Sequence, residues 1–276
     1  MYLPDHLGEQ WGPLVAATVA VEATTELNVG ILVFDNDFRH PVVLAKELAT
    51  LDLVAEGRFE FGLGAGWMHT DYATSGIAYD EPKVRIDRME EALGIFEQLF
   101  SGATVTTSGT HYQVTDAVLQ PTPHTTGGPK LVIGGGSKRI LQLAARRAQV
   151  VSMVPSLKAG VIGPEMAAGG VAERYAERTD WVRAAAPERF ASLELQCWTA
   201  FAAITDEAAA TFEALAPGFG LTPAQLQAAP VALCGTVDEV CAQLEERRER
   251  FGLSYIVLHE GEFESFAPVI ARLAGN

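Results

Sequence analysis

Short runs of β-branched and aromatic residues alternate along this chain with longer stretches whose apolar positions recur every three or four residues, the pattern of strands followed by amphipathic helices. Leu27-Asn28-Val29-Gly30-Ile31-Leu32-Val33 predicts a strand, and Val42 to Glu56 a helix with Leu44, Leu48, Leu51 and Ala55 on one face and Gly57 as its stop. Arg58 to Gly64 is the next strand and a polar loop follows it. Val84 to Phe100 then carries Met89, Leu93, Phe96 and Phe100 at helical spacing, with Asp80 or Glu81 as its cap and Ser101-Gly102 as its end. Thr104 to Thr107 and His111 to Val114, joined across Ser108-Gly109, predict a hairpin inserted at about 103–120.

The alternation continues with Leu131-Val132-Ile133, a helix from Lys138 to Arg147, and Val150 to Met153. A charged helical insertion at about 160–190 is read from Glu165 to Ala186, and Leu193 to Phe201 as one strand. Asp206 to Leu215 predicts a helix, capping boxes at Thr222/Gln225 and Thr236/Glu239 start two more, and Tyr255 to Leu258 with Phe263 to Leu273 form the last strand and helix. With Tyr2-Leu3-Pro4 and the helix Leu14 to Ala23, the count is seven strand–helix units. No Pro/Gly/Ser-rich linker interrupts them, so the expectation is a single α/β domain over 1–276. Seven units favour a (β/α)8 TIM barrel over an open doubly wound sheet. A closed barrel needs eight strands. The expectation is therefore a barrel lacking the first strand–helix unit, open or closed by another segment.

Charge narrows the partners. The 276 residues are 48% apolar and 20% charged, and 20 Lys+Arg against 35 Asp+Glu leave a net charge of −15. Such a surface repels nucleic acid and anionic membranes, so neither is an expected partner. The longest apolar stretch, Pro13 to Val21, falls short of the ~20 residues of a membrane span, and no secretory signal is read at the start. Cys197, Cys234 and Cys241 form no CxxC pair, which suits a reducing cytoplasm and indicates neither a disulfide framework nor a metal site.

In this class of fold, chemistry sits at the carboxyl ends of the strands. The first strand ends in Asp5-His6, a carboxylate beside an imidazole; a turn cap and a rim residue are the plain alternative. The strand before Gly62-Leu63-Gly64-Ala65-Gly66-Trp67 delivers glycines that let a ligand approach the backbone, with Trp67 as an aromatic wall, or else a turn that merely closes the strand. Because Met68-His69-Thr70-Asp71-Tyr72 reads as loop, this is not a dinucleotide fingerprint. Gly134-Gly135-Gly136-Ser137-Lys138-Arg139 opens straight into a helix, presenting amides, a hydroxyl and two cations to a phosphate; an ordinary start capped by Ser137 is the alternative. His40, His69 and His259-Glu260 are further loop candidates, and His111 and His124 have no evident partner. No HExxH, Walker loop or GxSxG elbow occurs.

With these residues in hand, the chain resembles the bacterial luciferase-like oxidoreductases, flavin- or deazaflavin-dependent (β/α)8 barrels. The most specific stretch is Gly62 to Trp67 continuing through Asp71-Tyr72, Gly76-Ile77 and Tyr79 to Arg85-x-x-Arg88-x-Glu90-Glu91. Pro4-Asp5-His6, His40-Pro41 with Ala45-Lys46 and Asp52, Gly109-x-His111-Tyr112, Pro121-x-Pro123 and Ile133-Gly134-Gly135-Gly136-x-x-Arg139 with Leu143-Ala144-Ala145 match in the same order.

The resemblance implies a cofactor across the barrel mouth. Gly135, Gly136, Ser137 and Arg139 would hold its phosphate, Leu32, Val33 and Phe34 would back its ring where relatives bulge the strand, and Asp5 and His6 match the Asp-His pair beside the reactive ring. Ala65, standing where some FMN-binding members carry arginine, points to coenzyme F420 over FMN. The implied reaction is hydride transfer between the deazaflavin and a small organic substrate, with His6 handling the proton. Two residues depart from relatives: Ala65-Gly66 carry no acid, which argues against the sugar-phosphate dehydrogenase branch, and Gln149 replaces an aspartate. An FMN-dependent monooxygenase and a non-catalytic paralogue are the alternatives. The apolar stretches Leu14 to Ala23 and Val42 to Leu53 permit the homodimer that relatives form.

Overall fold

The computed structural model describes residues 1–155, 160 and 169–275, and the chain divides into two compact units, Met1–Gly134 and Gly135–Asn276. The first unit runs β1 (Tyr2–Leu3), α1 (Pro13–Glu22), β2 (Val29–Asp35), α2 (Pro41–Val54), β3 (Phe59–Gly64), α3 (His69–Ser75), α4 (Pro82–Phe100), a hairpin of β4 (Val105–Ser108) and β5 (Gln113–Ala117), and β6 (Lys130–Gly135). Strands β1, β2, β3 and β6 pair in that order, all parallel. Every residue of β3 is buried, as expected of a strand covered on both faces. Phe61 of β3 packs edge-on against Phe96 of α4 at 5.1 Å, while Leu44 and Leu48 fill the space beneath α2. The antiparallel hairpin lies within its predicted span.

Several local expectations change. The segment after Met68 is helix α3 rather than loop. It is only seven residues long, too short to register as a period, and Gly76 (φ +73°) supplies its left-handed stop. Neither Asp80 nor Glu81 caps α4 through its side chain: Glu81 occupies the capping position without such a bond, Pro82 presets the first turn, and Asp80 pairs with Arg88 instead. Strand β2 continues two residues beyond Val33 to Asp35, and α2 ends at Val54 before Gly57.

The second unit runs α5 (Lys138–Arg147), β7 (Val150–Met153), α6 (Ala172–Ala185), β8 (Glu194–Trp198), β9 (Phe201–Ile204), α7 (Ala208–Phe219), α8 (Pro223–Ala228), β10 (Ala232–Gly235), α9 (Val237–Phe251), β11 (Leu253–Val257) and α10 (Ala267–Leu273). Strands β7, β8 and β11 pair in parallel. The single strand predicted from Leu193 to Phe201 is two strands in different sheets. Thr199 N–H donates to Val257 O, whereas Ala200 N–H donates to Val231 O, so the ladder changes partner there and β9 pairs with β10. Both predicted capping boxes are present, at Thr222/Gln225 and Thr236/Glu239. Of the predicted helical insertion, Ala172–Ala185 is helix; residues 161–168, which include Glu165, lie outside the described residues.

Candidate active site

Parallel pairing sets the carboxyl ends of β2 and β3 side by side, with Asp35 opposite Gly64. The chain leaving β1 brings His6 to the same edge. Its Nδ1 lies 2.7 Å from Asp71 Oδ2, while the Leu7 N–H donates to Asp71 Oδ1 at 3.2 Å. Asp71 is buried, and a carboxylate so placed accepts the Nδ1 proton and leaves Nε2 as the working nitrogen. Trp67 meets the imidazole edge-on, with ring centres 5.5 Å apart. The carboxylate that orients His6 is therefore not its neighbour Asp5. Asp5 is buried with a bidentate hold on Arg39, at 2.6 and 3.0 Å, and also accepts the Asp35 N–H at 3.0 Å. It clamps the loop after β2 and is not a partner of the imidazole.

The register of β2 against β3 jumps between Ile31 and Phe34, so the expected irregularity is present, and Leu32 and Val33 are half-buried there. Phe34 differs from expectation. It is fully buried, with its ring against Phe61 and under the Arg39 guanidinium, so its side chain belongs to the core and is not open to a ligand. Gly64 sits tightly over Val33: a Cβ there would come within 2.6 Å of Val33 Cγ2.

Beyond β3, the turn Ala65-Gly66-Trp67 is held from behind by Arg85 of α4, whose Nε donates to Ala65 O at 3.2 Å and Nη2 to Gly66 O at 3.4 Å. Gly66 has φ +75°, and a Cβ there would fall 1.8 Å from Tyr72 Oη and 2.5 Å from Asp35 Oδ2. Gly66→Ala is accordingly expected to cost about 2 kcal/mol of stability, from backbone strain and overpacking together. Chemical denaturation reads that loss, and an unchanged midpoint would contradict the assignment.

A buried acid that the sequence reading passed over lies under this turn. Asp35 Oδ1 accepts the Asp37 N–H at 2.9 Å and the Tyr72 hydroxyl at 3.1 Å. The same hydroxyl lies 3.0 Å from Asp37 Oδ2, and Asp37 is ion-paired with Arg88 at 2.8 Å. Burial pushes the Asp35 carboxyl up to about 7, helped by the charges of Asp37 and Asp5 and opposed by its two hydrogen bonds. Burial, with the charges of and hydrogen bonds to Asp35 and Asp37, holds the Tyr72 phenol well above its ordinary range, so it stays protonated. The run Asp35-Asn36-Asp37 at a strand end was the available signal, but nothing local marks which of its two buried carboxylates pairs with Arg88 and which is pushed toward neutrality.

In the second unit, Ser137 caps α5: its Oγ accepts the Ile140 N–H at 3.4 Å. The capping reading holds, and it leaves the turn before it intact as a site. Gly135 O accepts from Val154 N–H at 3.2 Å, and Gly136 O lies 3.5 Å from Arg178 Nε. In a trans peptide the N–H opposes its C=O, so the Gly136 and Ser137 amides face away from these partners. Neither has a hydrogen-bond partner among the described residues. Gly134, Gly135, Gly136 and Arg139 are half-exposed and Ser137 exposed; Arg139 is engaged by a neighbour. A Cβ on Gly136 would meet Val154 O at 2.5 Å, so only glycine fits against the exit of β7. This cradle of open amides at a helix start suits a phosphoryl group.

The remaining histidines find local roles. His40 Nδ1 accepts the Val42 N–H and caps α2. His69 opens α3 with its ring on Tyr79, His124 flanks Gly57, and His259 meets Trp198 edge-on. The backbone of His111 and Tyr112 is held by Glu91 at 3.0 and 2.8 Å. An open cleft of about 360 Å³ borders the loop after β2, with Arg39, His40, Arg88 and Tyr112 among its walls. Among the described residues, no helix is long and apolar enough to cross a membrane.

Comparison with known proteins gives these geometries a context. The F420-dependent glucose-6-phosphate dehydrogenase of Amycolatopsis mediterranei is 32% identical over 114 residues, 41% of this chain and 33% of the relative. This chain spans about a third of the length of the curated relatives it matches. Two solved structures share the fold over 99% of the chain. One is a riboflavin lyase with modified FMN and riboflavin (TM-score 0.76, 16% identity, 80% of that chain covered). The other is the coenzyme F420-dependent tetrahydromethanopterin reductase of Methanopyrus kandleri (TM-score 0.73, 17% identity, 89% covered). The α/β fold is thus that of the luciferase-like TIM barrels. The luciferase-like monooxygenase description matches residues 1–254, a span that holds both glycine turns and the His6–Asp71 pair, and the chain belongs to that family.

Proposed function

We propose that this chain is a coenzyme F420-dependent oxidoreductase that moves a hydride between the deazaflavin and a small organic substrate. The observation that carries the reading is the His6–Asp71 pair beside Trp67 at the strand ends, an oriented imidazole with one nitrogen left for chemistry. The F420-dependent relative and reductase support the choice of cofactor. When bound, the deazaflavin supplies or accepts the hydride. Asp71 fixes the Nδ1 proton of His6, and Nε2 gives or takes the proton that accompanies hydride transfer. Trp67 limits the imidazole's rotation and shields it from water. Gly64 and Gly66 keep the turn free of side chains, and the Gly136 and Ser137 amides, with Arg139, hold the phosphate.

FMN is the second reading, favoured by the FMN-bearing riboflavin lyase that shares the fold. Absorbance titration of the purified protein with F420 and with FMN separates the readings: saturable F420 binding is expected, saturable FMN binding alone would replace the proposal, and binding of neither would leave the non-catalytic reading.

The protein acts as a cytoplasmic homodimer in this reading. Val15 and Val19 of α1 and Trp11 just before the helix are exposed apolar side chains, by 73, 59 and 78%, and Val43 of α2 is exposed by 57%. Val15→Glu places a charge among them and is expected to convert the dimer to monomer in analytical ultracentrifugation; an unchanged sedimentation coefficient would exclude this face.

A further inference from the structure

The cradle at the start of α5 is built from behind by a buried cation that no cofactor contact defines. Arg178 of α6 is 4% exposed. Its Nη1 donates to Gly169 O at 2.6 Å, its Nε approaches Gly136 O at 3.5 Å, and its guanidinium lies over the Tyr175 ring at 5.3 Å. Tyr175 is itself fixed by Met153 O at 3.0 Å and Cys197 Sγ at 3.1 Å, so the platform beneath the cation is rigid. No carboxylate pairs with Arg178 among the described residues; the nearby Glu177 pairs with Arg174 at 2.7 Å. Among the described residues this buried charge is met by two carbonyl oxygens and an aromatic face, without a carboxylate, and such an arrangement is costly. Burial accordingly lowers the affinity of Arg178 for its proton.

We infer that Arg178 is a positioning residue for phosphate binding. It fixes the Gly136–Ser137 peptide with its N–H turned outward and lends the turn a charge that no carboxylate among the described residues pairs with. The inference rests on the reading that this turn takes the cofactor's phosphate. Two consequences follow from the geometry. The guanidinium polarises the Gly136 carbonyl, which makes the Ser137 N–H a stronger donor, and the full cation adds to the partial positive charge at the helix start. In a chain of net charge −15, such a local cation adds to the attraction that the turn offers an anionic phosphate.

The test compares phosphorylated and phosphate-free forms of one ring system, FMN with riboflavin and F420 with its phosphate-free deazaflavin riboside, on the full chain and on Arg178→Met and Arg178→Lys. Wild type is expected to prefer the phosphorylated member. Arg178→Met should cut that preference by about 10-fold or more while leaving the affinity for the phosphate-free member unchanged, and Arg178→Lys should restore part of it. An unchanged preference in Arg178→Met overturns the inference. A wild type that binds the rings without preferring phosphate overturns the underlying reading of the turn, and the inference with it. Should Arg178→Met fail to fold, titration of the wild type and Arg178→Lys with inorganic phosphate, followed through the Gly136 and Ser137 amide resonances, decides the matter. Smaller shifts in Arg178→Lys support the role, and equal shifts overturn it.

Discussion

Replacing His6 with alanine is expected to lower kcat by about 10²–10⁴-fold, the range for losing a positioned general acid–base, while cofactor affinity measured by absorbance is retained. The separation matters because the imidazole is assigned to the proton and not to holding the cofactor. Asp71→Asn is the sharper companion. Its Oδ1 still accepts the Leu7 N–H, but an amide facing Nδ1 makes that nitrogen the acceptor and moves the proton to Nε2. A wrong tautomer in intact geometry should cost at least about 10-fold in kcat and change the pH profile of turnover. Full turnover in His6→Ala would remove the imidazole from the mechanism. An Asp71→Asn enzyme with an unaltered pH profile would reduce Asp71 to a structural contact.

The second large effect is on stability. Asp35 titrates at about 7 in the folded chain because burial disfavours its charged form, whereas an unfolded aspartate titrates near 3.9. Between these two values the folded state holds a proton that the unfolded state has lost, so stability falls as pH rises through the window and levels off above about 7. From pH 5 to pH 8 this group alone should remove about 3 kcal/mol. Burial is the main cause and the nearby charges of Asp37 and Asp5 add to it, while the hydrogen bonds from the Asp37 N–H and the Tyr72 hydroxyl favour the charged form without overcoming it. Asp35→Asn mimics the neutral acid. Urea unfolding at pH 5 and pH 8 should show wild type losing about 3 kcal/mol more than the variant across that interval. Parallel losses in the two proteins would mean that Asp35 is ionised throughout.

The alternation of strands and helices was legible because it is local. A period of 3.6 or 2 is written in neighbouring residues, and capping boxes such as Thr236/Glu239 close within four positions. Both glycine turns and His6 could be named for the same reason. The helix at His69–Ser75 was hidden by its brevity, and the division of the stretch from Leu193 to Phe201 by a change of hydrogen-bonding partner at Thr199-Ala200.

What the sequence determined by itself, then, was the order of the elements and the chemical groups delivered to their ends. Only the tertiary structure decided which charges meet. His6 finds Asp71, 65 residues on, rather than its neighbour Asp5; Arg178 reaches back 42 residues to Gly136; and Asp35 becomes the buried acid. The physical reason is that a titratable group's partner and its desolvation depend on every atom packed around it, and those atoms come from distant parts of the chain. Hydrophobic periodicity records which way a side chain faces, but carries no record of what it will face.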